Sequence, residues 1–259
     1  MSRRGLEMVR RLILMTASVA CVLAVSLASA ASASATQRID MKVLLLGTST
    51  TEPNFEAWQS ELQREGVPYE AIITSKGHAA ITAATLSDTL SNGTQEAKYQ
   101  AIVESVGGLP LCPEAPATGE CVPALSATER TAIEEYEQTF NVRQITGEAF
   151  PTTSTTYGLN PPTKDGEFAE TFKGTLTTEG KTVFPYLNGP VAFSTGTYGY
   201  ETTPLTTQAT GASFHTLVEG STKTALVGIY TRPSGVQEMV YVYNETRPSC
   251  SLSCCAMGR

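Results

Sequence analysis

A nearly continuous apolar run from Met41 to Gly47 does most to limit what this chain can fold into. It is rich in Val and Leu and ends at a glycine followed by a Thr/Ser loop. Such a run is typical of a strand that is buried on both faces, which occurs mainly in parallel sheets covered by helices. The sequence therefore predicts an α/β layer with this run as its first strand.

The residues after this run repeat at helical spacing. Phe55, Trp58 and Leu62 lie at i, i+3 and i+7, with polar residues between them, which predicts an amphipathic helix. Gly66 and the proline that follows it supply the usual signal for the end of a helix. A strand over residues 69–74 then completes a βαβ unit.

The same alternation continues to about residue 150. We expect a third strand over residues 99–106, a helix over residues 125–140 and a fourth strand over residues 142–145. Ser126 and Glu129 have the spacing of a capping box at the start of that helix. Residues 36–150 therefore indicate an open α/β layer close to a flavodoxin-like arrangement.

The pattern changes after Phe150. A polar segment rich in Thr, Ser and Pro predicts a linker or long connection, and no helical period follows it. Short β-branched and aromatic runs predict strands over residues 168–177, 181–187, 191–193, 214–219, 224–230 and 237–243, with a hairpin turn at residues 232–235. We expect residues 151–248 to form a β-sandwich-like region, so the chain is α/β plus β.

The first 35 residues indicate export. Four arginines precede an apolar run that ends in repeated Ala-x-Ala sequences, as in a secretory signal peptide. The run is nearly as long as the roughly 20 residues that a membrane anchor needs, but its Ala/Ser richness favours cleavage. We expect a signal peptide over residues 1–35 and a secreted protein without membrane contact after its removal.

Charge argues against one class of partner. The leader holds four of the 18 basic and one of the 25 acidic residues, so the remaining chain has a formal net charge of −10. No Lys/Arg cluster is present to bind phosphates, which excludes nucleic acid as the expected partner. The acidity suits a cationic polymer, but on its own it more often serves only to keep a secreted protein soluble.

The cysteines after the leader fall into two groups. Cys112 and Cys121 bracket a loop that contains Pro and Gly, and we expect them to form a disulfide. Cys250, Cys254 and Cys255 lie within the last ten residues, in a spacing that does not match a zinc site. Residues 249–259 are interpreted as an anomalous Cys-rich tail, as an altered or prematurely ended reading frame would produce.

Residues that hydrolases use are scattered along the chain after the leader. They are Asp40, Asp88 and Asp165, with His78 and His215. No nucleophile elbow and no glycine-rich nucleotide motif occurs. The Gly47 loop follows a strand and remains an alternative site for a small anion or hydrolase-like chemistry, beside its simpler interpretation as a connection. We expect no catalysis, no metal and no cofactor, and a structural or exposed role for both histidines.

Two pairs of tyrosines suggest binding. Tyr198 and Tyr200 are two residues apart, as are Tyr241 and Tyr243, so each pair lies on one face if its strand is extended. Flat aromatic faces suit the C–H surfaces of sugars, while tyrosine is also common in the cores of β proteins. These four tyrosines are the candidate carbohydrate-binding residues.

Four segments occur in an order that resembles the N-terminal region of the fungal galactosaminogalactan deacetylase family. They are residues 66–70, 125–136, 140–143 and 236–240, within a match over about residues 41–248. The resemblance implies a carbohydrate-binding module that precedes a metal-dependent polysaccharide deacetylase domain. The catalytic domain of that family carries an Asp-Asp motif and metal-binding histidines, and this chain has no Asp-Asp pair.

The expected function is therefore binding without catalysis. The resemblance implies a secreted carbohydrate-binding region, truncated before the catalytic domain, whose partner is a polysaccharide such as a cationic amino-sugar polymer. Two alternatives remain open: an α/β domain that binds a small molecule or acts as a hydrolase through the Gly47 loop, and a structural remnant without a function of its own.

Overall fold

A computed structural model of the chain describes residues 37–112, 120–169, 172–194, 196–220 and 223–244. The expected signal peptide and the Cys-rich tail lie outside these residues. The elements in chain order are β1 (Gln37–Ile39), β2 (Val43–Gly47), α1 (Pro53–Arg64), β3 (Tyr69–Ile73), α2 (Ala83–Leu86), β4 (Ser87–Thr89), β5 (Gln95–Ala97), β6 (Ala101–Glu104), β7 (Pro110–Leu111), β8 (Val122–Pro123), α3 (Ala127–Phe140), β9 (Arg143–Thr146), β10 (Lys164–Glu167), β11 (Lys173–Leu176), α4 (Thr178–Val183), β12 (Val191–Ala192), β13 (Tyr198–Glu201), β14 (Ser213–Glu219), β15 (Ala225–Thr231) and β16 (Gln237–Tyr241). None of the helices among the described residues is long and apolar enough to cross a membrane.

Nine of these strands form one mixed sheet. Their order is β12-β11-β14-β15-β16-β9-β6-β2-β3. Neighbours from β16 to β3 are parallel, whereas neighbours from β12 to β16 are antiparallel. The first four parallel strands lie in the second-first-third-fourth order of flavodoxin-like sheets. A flavodoxin-like layer is nevertheless not confirmed, because antiparallel strands continue the same sheet.

The strands of the second half do not build a separate sandwich, contrary to the sequence-based expectation. β16 pairs in parallel with β9, and Met239 lies opposite Ile145. The antiparallel strands therefore extend the sheet of the first half. One hydrophobic core spans both halves, since Leu45 and Trp58 belong to the same buried cluster as Leu217.

Strand β2 is covered on both faces, as its apolar run predicted. Val43 and Leu45 belong to the cluster that contains the buried side of α1, whereas Leu44 and Leu46 belong to the cluster beneath α3. None of the four side chains is more than 5% exposed. The alternation of strand side chains thus places the two long helices on opposite faces of the sheet.

The predicted capping box is present at the start of α3. The Ser126 hydroxyl accepts a hydrogen bond from the Glu129 backbone N–H, and the Glu129 side chain accepts one from the Ser126 backbone N–H at 2.9 Å. The Glu129 carboxylate also accepts from the Ile81 backbone N–H at 3.0 Å and contacts His78 Nε2 at 2.8 Å. This residue therefore joins the helix start to the loop before α2.

We expect Glu129 to contribute stability that acid removes. Burial alone would raise the pKa of Glu129, but the hydrogen bonds from Ile81, Ser126 and His78 lower it to about 2. Because this pKa lies below the value of about 4.3 in an unfolded chain, the contribution is present above pH 4.3 and is lost as the pH falls towards 2. Glu129→Gln should cost about 2 kcal/mol at pH 7.

Urea unfolding at pH 7 and pH 3 measures this effect. Glu134 is exposed on the same helix, so Glu134→Gln is the matched control and should change the free energy of unfolding by less than about 0.5 kcal/mol. Equal losses for the two variants at pH 7 would show that Glu129 acts only through net charge.

The expected strand over residues 181–187 is wrong, because helix α4 occupies its first part. The Thr177 hydroxyl caps this helix by accepting from the Gly180 backbone N–H at 2.9 Å. A Cβ atom at Gly180 would lie 2.0 Å from the Leu217 carbonyl oxygen, so the helix packs directly on the backbone of β14. A six-residue helix that packs through a glycine has no apolar stripe for a sequence pattern to reveal.

The other strand predictions in the second half are close to the observed elements. The run over residues 168–177 contains β11, and the last three runs correspond to β14, β15 and β16. The hairpin turn at residues 232–235 is confirmed. Gly235 has φ +88° there and donates from its backbone N–H to the Arg232 carbonyl at 2.8 Å.

Candidate functional site

An open groove of about 490 Å³ lies at the carboxyl edge of the parallel strands. Gly107 and Gly108 follow β6, and Glu148 and Phe150 follow β9, so the ends of two neighbouring strands bring these residues together. Open α/β sheets bind ligands at this edge, because the loops there converge while the strands hold them in place. The groove is therefore the leading candidate site among the described residues.

Phe150 and Tyr200 line the groove, and Tyr198 lies beside Tyr200 outside it. We call these three residues the aromatic strip. The rings of Phe150 and Tyr200 contact edge to face at 4.9 Å between centroids, and those of Tyr200 and Tyr198 at 5.8 Å. Phe150 is 50% exposed, and both tyrosines are half-buried. The strip thus presents a continuous apolar surface with hydroxyl groups at its edge.

Two carboxylates flank the aromatic strip. Glu148 accepts a hydrogen bond from the Asn54 side chain, and its Oε1 lies 3.5 Å from the Tyr200 hydroxyl. Asp165 accepts from the Tyr198 hydroxyl. Within the described ranges neither carboxylate has a Lys or Arg partner. Burial raises the pKa of Glu148, because the charged form loses contact with water there.

The backbone of the groove adopts unusual conformations. Glu148 has φ +38° and Tyr157 has φ +50°, a region that residues with a Cβ rarely occupy. Gly107 lies close to Tyr157, because a Cβ atom at Gly107 would be 2.9 Å from the Tyr157 hydroxyl and 3.0 Å from the Ala149 Cα atom. Such conformations cost of order 1 to 3 kcal/mol and cluster at binding and catalytic sites. They supply an independent reason to place the functional site here.

The expected disulfide between Cys112 and Cys121 is present. It closes the short hairpin of β7 and β8, in which Leu111 pairs with Val122. Cys121 and Val122 line the groove, so the disulfide holds one of its walls. Val122 is 56% exposed and adds to the apolar surface of the site.

One protein-family model matches most of the chain. The model of the family described as Agd3 CBM87 matches residues 39–253. The chain belongs to this family. The resemblance found in the sequence is therefore confirmed, and CBM87 identifies the matched residues as a carbohydrate-binding region of a deacetylase-related protein.

A solved structure shares the CBM87 fold. The "Crystal structure of Agd3 a novel carbohydrate deacetylase" matches with a TM-score of 0.61 and 14% sequence identity, over 80% of this chain and 30% of that chain. At this identity the likeness shows the fold, and the chain spans about a third of the length of that protein. No curated protein matches the chain.

Only one of the two tyrosine pairs is available for binding in this CBM87 chain. Tyr198 and Tyr200 share one face of β13 in the aromatic strip. Tyr241 and Tyr243 are 0% and 2% exposed, and Tyr241 packs edge to face on Trp58 at 6.0 Å. They share a face, as expected, but that face is inside the core. Tyr241 and Tyr243 are therefore withdrawn as candidate carbohydrate-binding residues.

In the Gly47 loop of this CBM87 chain, a side chain of the protein already accepts the hydrogen bond that an anion would need. Glu52 accepts from the Thr48 backbone N–H at 3.2 Å and from the Ser105 hydroxyl at 2.5 Å. A carboxylate thus already uses the loop donor that a small anion would need. The loop is a strand-to-helix connection, and the alternative function built on it loses its support.

The two histidines have structural surroundings. His78 bridges the Ser75 carbonyl oxygen and the Glu129 carboxylate. His215 is exposed on β14, and its Nδ1 lies 3.1 Å from the Glu179 carboxylate. No group of three or more His, Cys, Asp or Glu side chains in the described part of the chain is arranged to hold a metal ion.

Proposed function

We propose that this chain binds an extracellular polysaccharide along the aromatic strip and does not itself catalyse a reaction. The observation that carries the proposal is the partly exposed aromatic strip at the carboxyl edge of the sheet, in a chain that belongs to a carbohydrate-binding family. Sugar rings present C–H faces that pack on aromatic rings, while their hydroxyls need polar groups at the rim. The groove supplies both.

We further propose that the polysaccharide is an amino-sugar polymer with free amines. Glu148 and Asp165 adjoin the aromatic strip without cationic partners among the described residues, so an ammonium group can take that place. Ammonium groups are also attracted to the faces of aromatic rings. The similar solved protein is titled a carbohydrate deacetylase, and removing acetyl groups from amino sugars exposes such amines. Without residues 1–35 the chain has a formal net charge of −10, and this negative charge also favours a cationic partner.

We also propose that the chain acts outside the cell. The disulfide between Cys112 and Cys121 supports this location, because disulfides form and persist in oxidising compartments. The expected signal peptide supports it independently. N-terminal sequencing of the exported protein tests the cleavage, and a start close to residue 36 is the expected result.

Alanine variants of the strip test the binding proposal. Replacing Phe150, Tyr198 or Tyr200 should each weaken binding to a galactosamine polymer by about 0.5 to 2 kcal/mol, or about 2-fold to 30-fold in Kd. Calorimetric titration measures the change. Tyr186→Ala is the matched control, since Tyr186 is 78% exposed and lies outside the groove. Equal effects for the control and the strip variants would contradict the assignment.

A further inference from the structure

A second cleft of about 360 Å³ lies at the amino edge of the parallel strands, away from the groove. Its floor is apolar and is built by Ile145, Met239 and Ile229, which are opposite one another on three neighbouring strands. All three side chains are only half-buried. The Tyr241 hydroxyl donates to the Met239 sulfur at 3.3 Å, which fixes the centre of the floor against the core.

The rim of this cleft carries polar side chains that the protein does not use. They belong to Gln100, Asn141, Arg143 and Gln237. In the part of the chain that the structure describes, these four side chains make no hydrogen bond or ion pair with the protein. Asn141 and Arg143 are exposed, whereas Gln100 and Gln237 are half-buried. A few polar groups around an apolar floor are typical of a small-ligand site.

Arg143 decides which ligand suits the cleft. The other described arginines, Arg38, Arg64, Arg130 and Arg232, each have a carboxylate partner. Arg143 has none among the described residues, although the chain as a whole is acidic. Its planar guanidinium matches a carboxylate through two parallel hydrogen bonds, whereas the neighbouring amides match hydroxyl groups.

We propose that this cleft binds a saccharide unit that carries a carboxylate, that is, a uronic acid residue. Arg143 takes the carboxylate, Gln237 and Asn141 bind ring hydroxyls, and Met239 contacts the C–H face of the sugar. The segments 140–143 and 236–240, which are remote in sequence, meet at this cleft because β9 and β16 pair. The site is separate from the aromatic strip, so it does not depend on the function proposed for the groove.

The test follows the Met239 methyl group by NMR of the full chain, labelled with ¹³C-methyl methionine. Trigalacturonate should shift this signal in a saturable manner, and its methyl ester, which has the same sugar without the charge, should bind at least about tenfold more weakly. Acetate at equal concentration should not saturate the signal, because it offers a carboxylate without a ring.

Variants connect the signal to Arg143. Arg143→Gln should weaken trigalacturonate binding about tenfold, and Arg143→Lys about threefold, because lysine keeps the charge but loses the planar fork. Lys173→Gln removes one exposed charge outside the cleft and should change Kd less than twofold. No Met239 shift, equal binding of the methyl ester, saturation by acetate, or equal losses for Arg143→Gln and Lys173→Gln would each overturn the proposal. Binding to the groove is measured separately with the galactosamine polymer.

Discussion

Replacing Arg232 by methionine is expected to lower the free energy of unfolding by about 3 to 5 kcal/mol at pH 7. The Arg232 guanidinium lies 2.6 Å from a Glu137 carboxylate oxygen and 2.9 Å from one of Glu238. Glu137 and Glu238 are 0% and 2% exposed. Without Arg232 these two buried carboxylates lose the cation that offsets their desolvation, and this loss is the source of the large cost.

The effect of Arg232→Met should depend on pH. Burial raises the pKa of Glu137 to about 7, although Arg232 lowers it. Because this value lies above the pKa of about 4.3 in an unfolded chain, the protonated carboxyl favours the fold at low pH, and that contribution is lost as the pH rises through 7. Removing Arg232 raises the pKa further, so the loss of stability should be larger at pH 8 than at pH 5.

Urea unfolding at pH 5 and pH 8 measures both claims. Arg38→Met is the control, because the Arg38 side chain is 63% exposed, and its change should stay within about 0.5 kcal/mol. Adding Glu137→Gln to Arg232→Met should recover part of the loss at pH 8. A loss for Arg232→Met that matches the control, or that does not vary with pH, would contradict the account of this buried network.

Replacing Trp58 by alanine should cost about 3 to 5 kcal/mol, because it opens a large cavity in the core that joins the two halves of the sheet. Trp58 is 1% exposed and packs edge to face on Tyr241 at 6.0 Å. It also supports the groove, since a Cβ atom at Gly147 would lie 3.0 Å from the indole nitrogen. The lost stability therefore comes from weaker packing of helix α1, of strand β16 and of the loop that positions Glu148.

Trp58→Phe is the matched variant. The indole N–H has no hydrogen-bond partner among the described residues, so phenylalanine removes a buried donor and most of the ring area remains. Its cost should be about 1 to 2 kcal/mol. Chemical denaturation followed by circular dichroism compares the two variants. A loss below about 1 kcal/mol for Trp58→Ala would show that α1 packs loosely on the sheet.

The first half of the fold is predictable because its signals are local. The apolar run of β2, the i, i+3, i+7 spacing of Phe55, Trp58 and Leu62, and the Ser126–Glu129 capping box each fix an element without knowledge of the rest. The pairing of β16 with β9 is not local. These two strands are about 90 residues apart in the chain, and the pattern of one strand does not indicate which distant strand it pairs with. The prediction of a separate β-sandwich was wrong for this reason.

The candidate site was predictable only in part. The two-residue spacing of Tyr198 and Tyr200 correctly indicates a shared face, but the same spacing at Tyr241 and Tyr243 cannot show which face is buried. Phe150 and Glu148 were missed as site residues. Phe150 had a weak signal, since it follows a predicted strand at the edge where ligands bind. No sequence signal indicates the positive φ of Glu148, because glycine is the residue that usually occupies such a position.

Comparison of a galactosamine polymer with its fully N-acetylated form measures whether the chain recognises free amines. We expect tighter binding of the free-amine polymer. This difference in affinity should shrink as salt is raised, because the Debye length is only about 8 Å at physiological ionic strength. It should also be smaller in Glu148→Gln. Equal, salt-insensitive affinity for both polymers would contradict the recognition of amines, and no binding to either would contradict the carbohydrate-binding function itself.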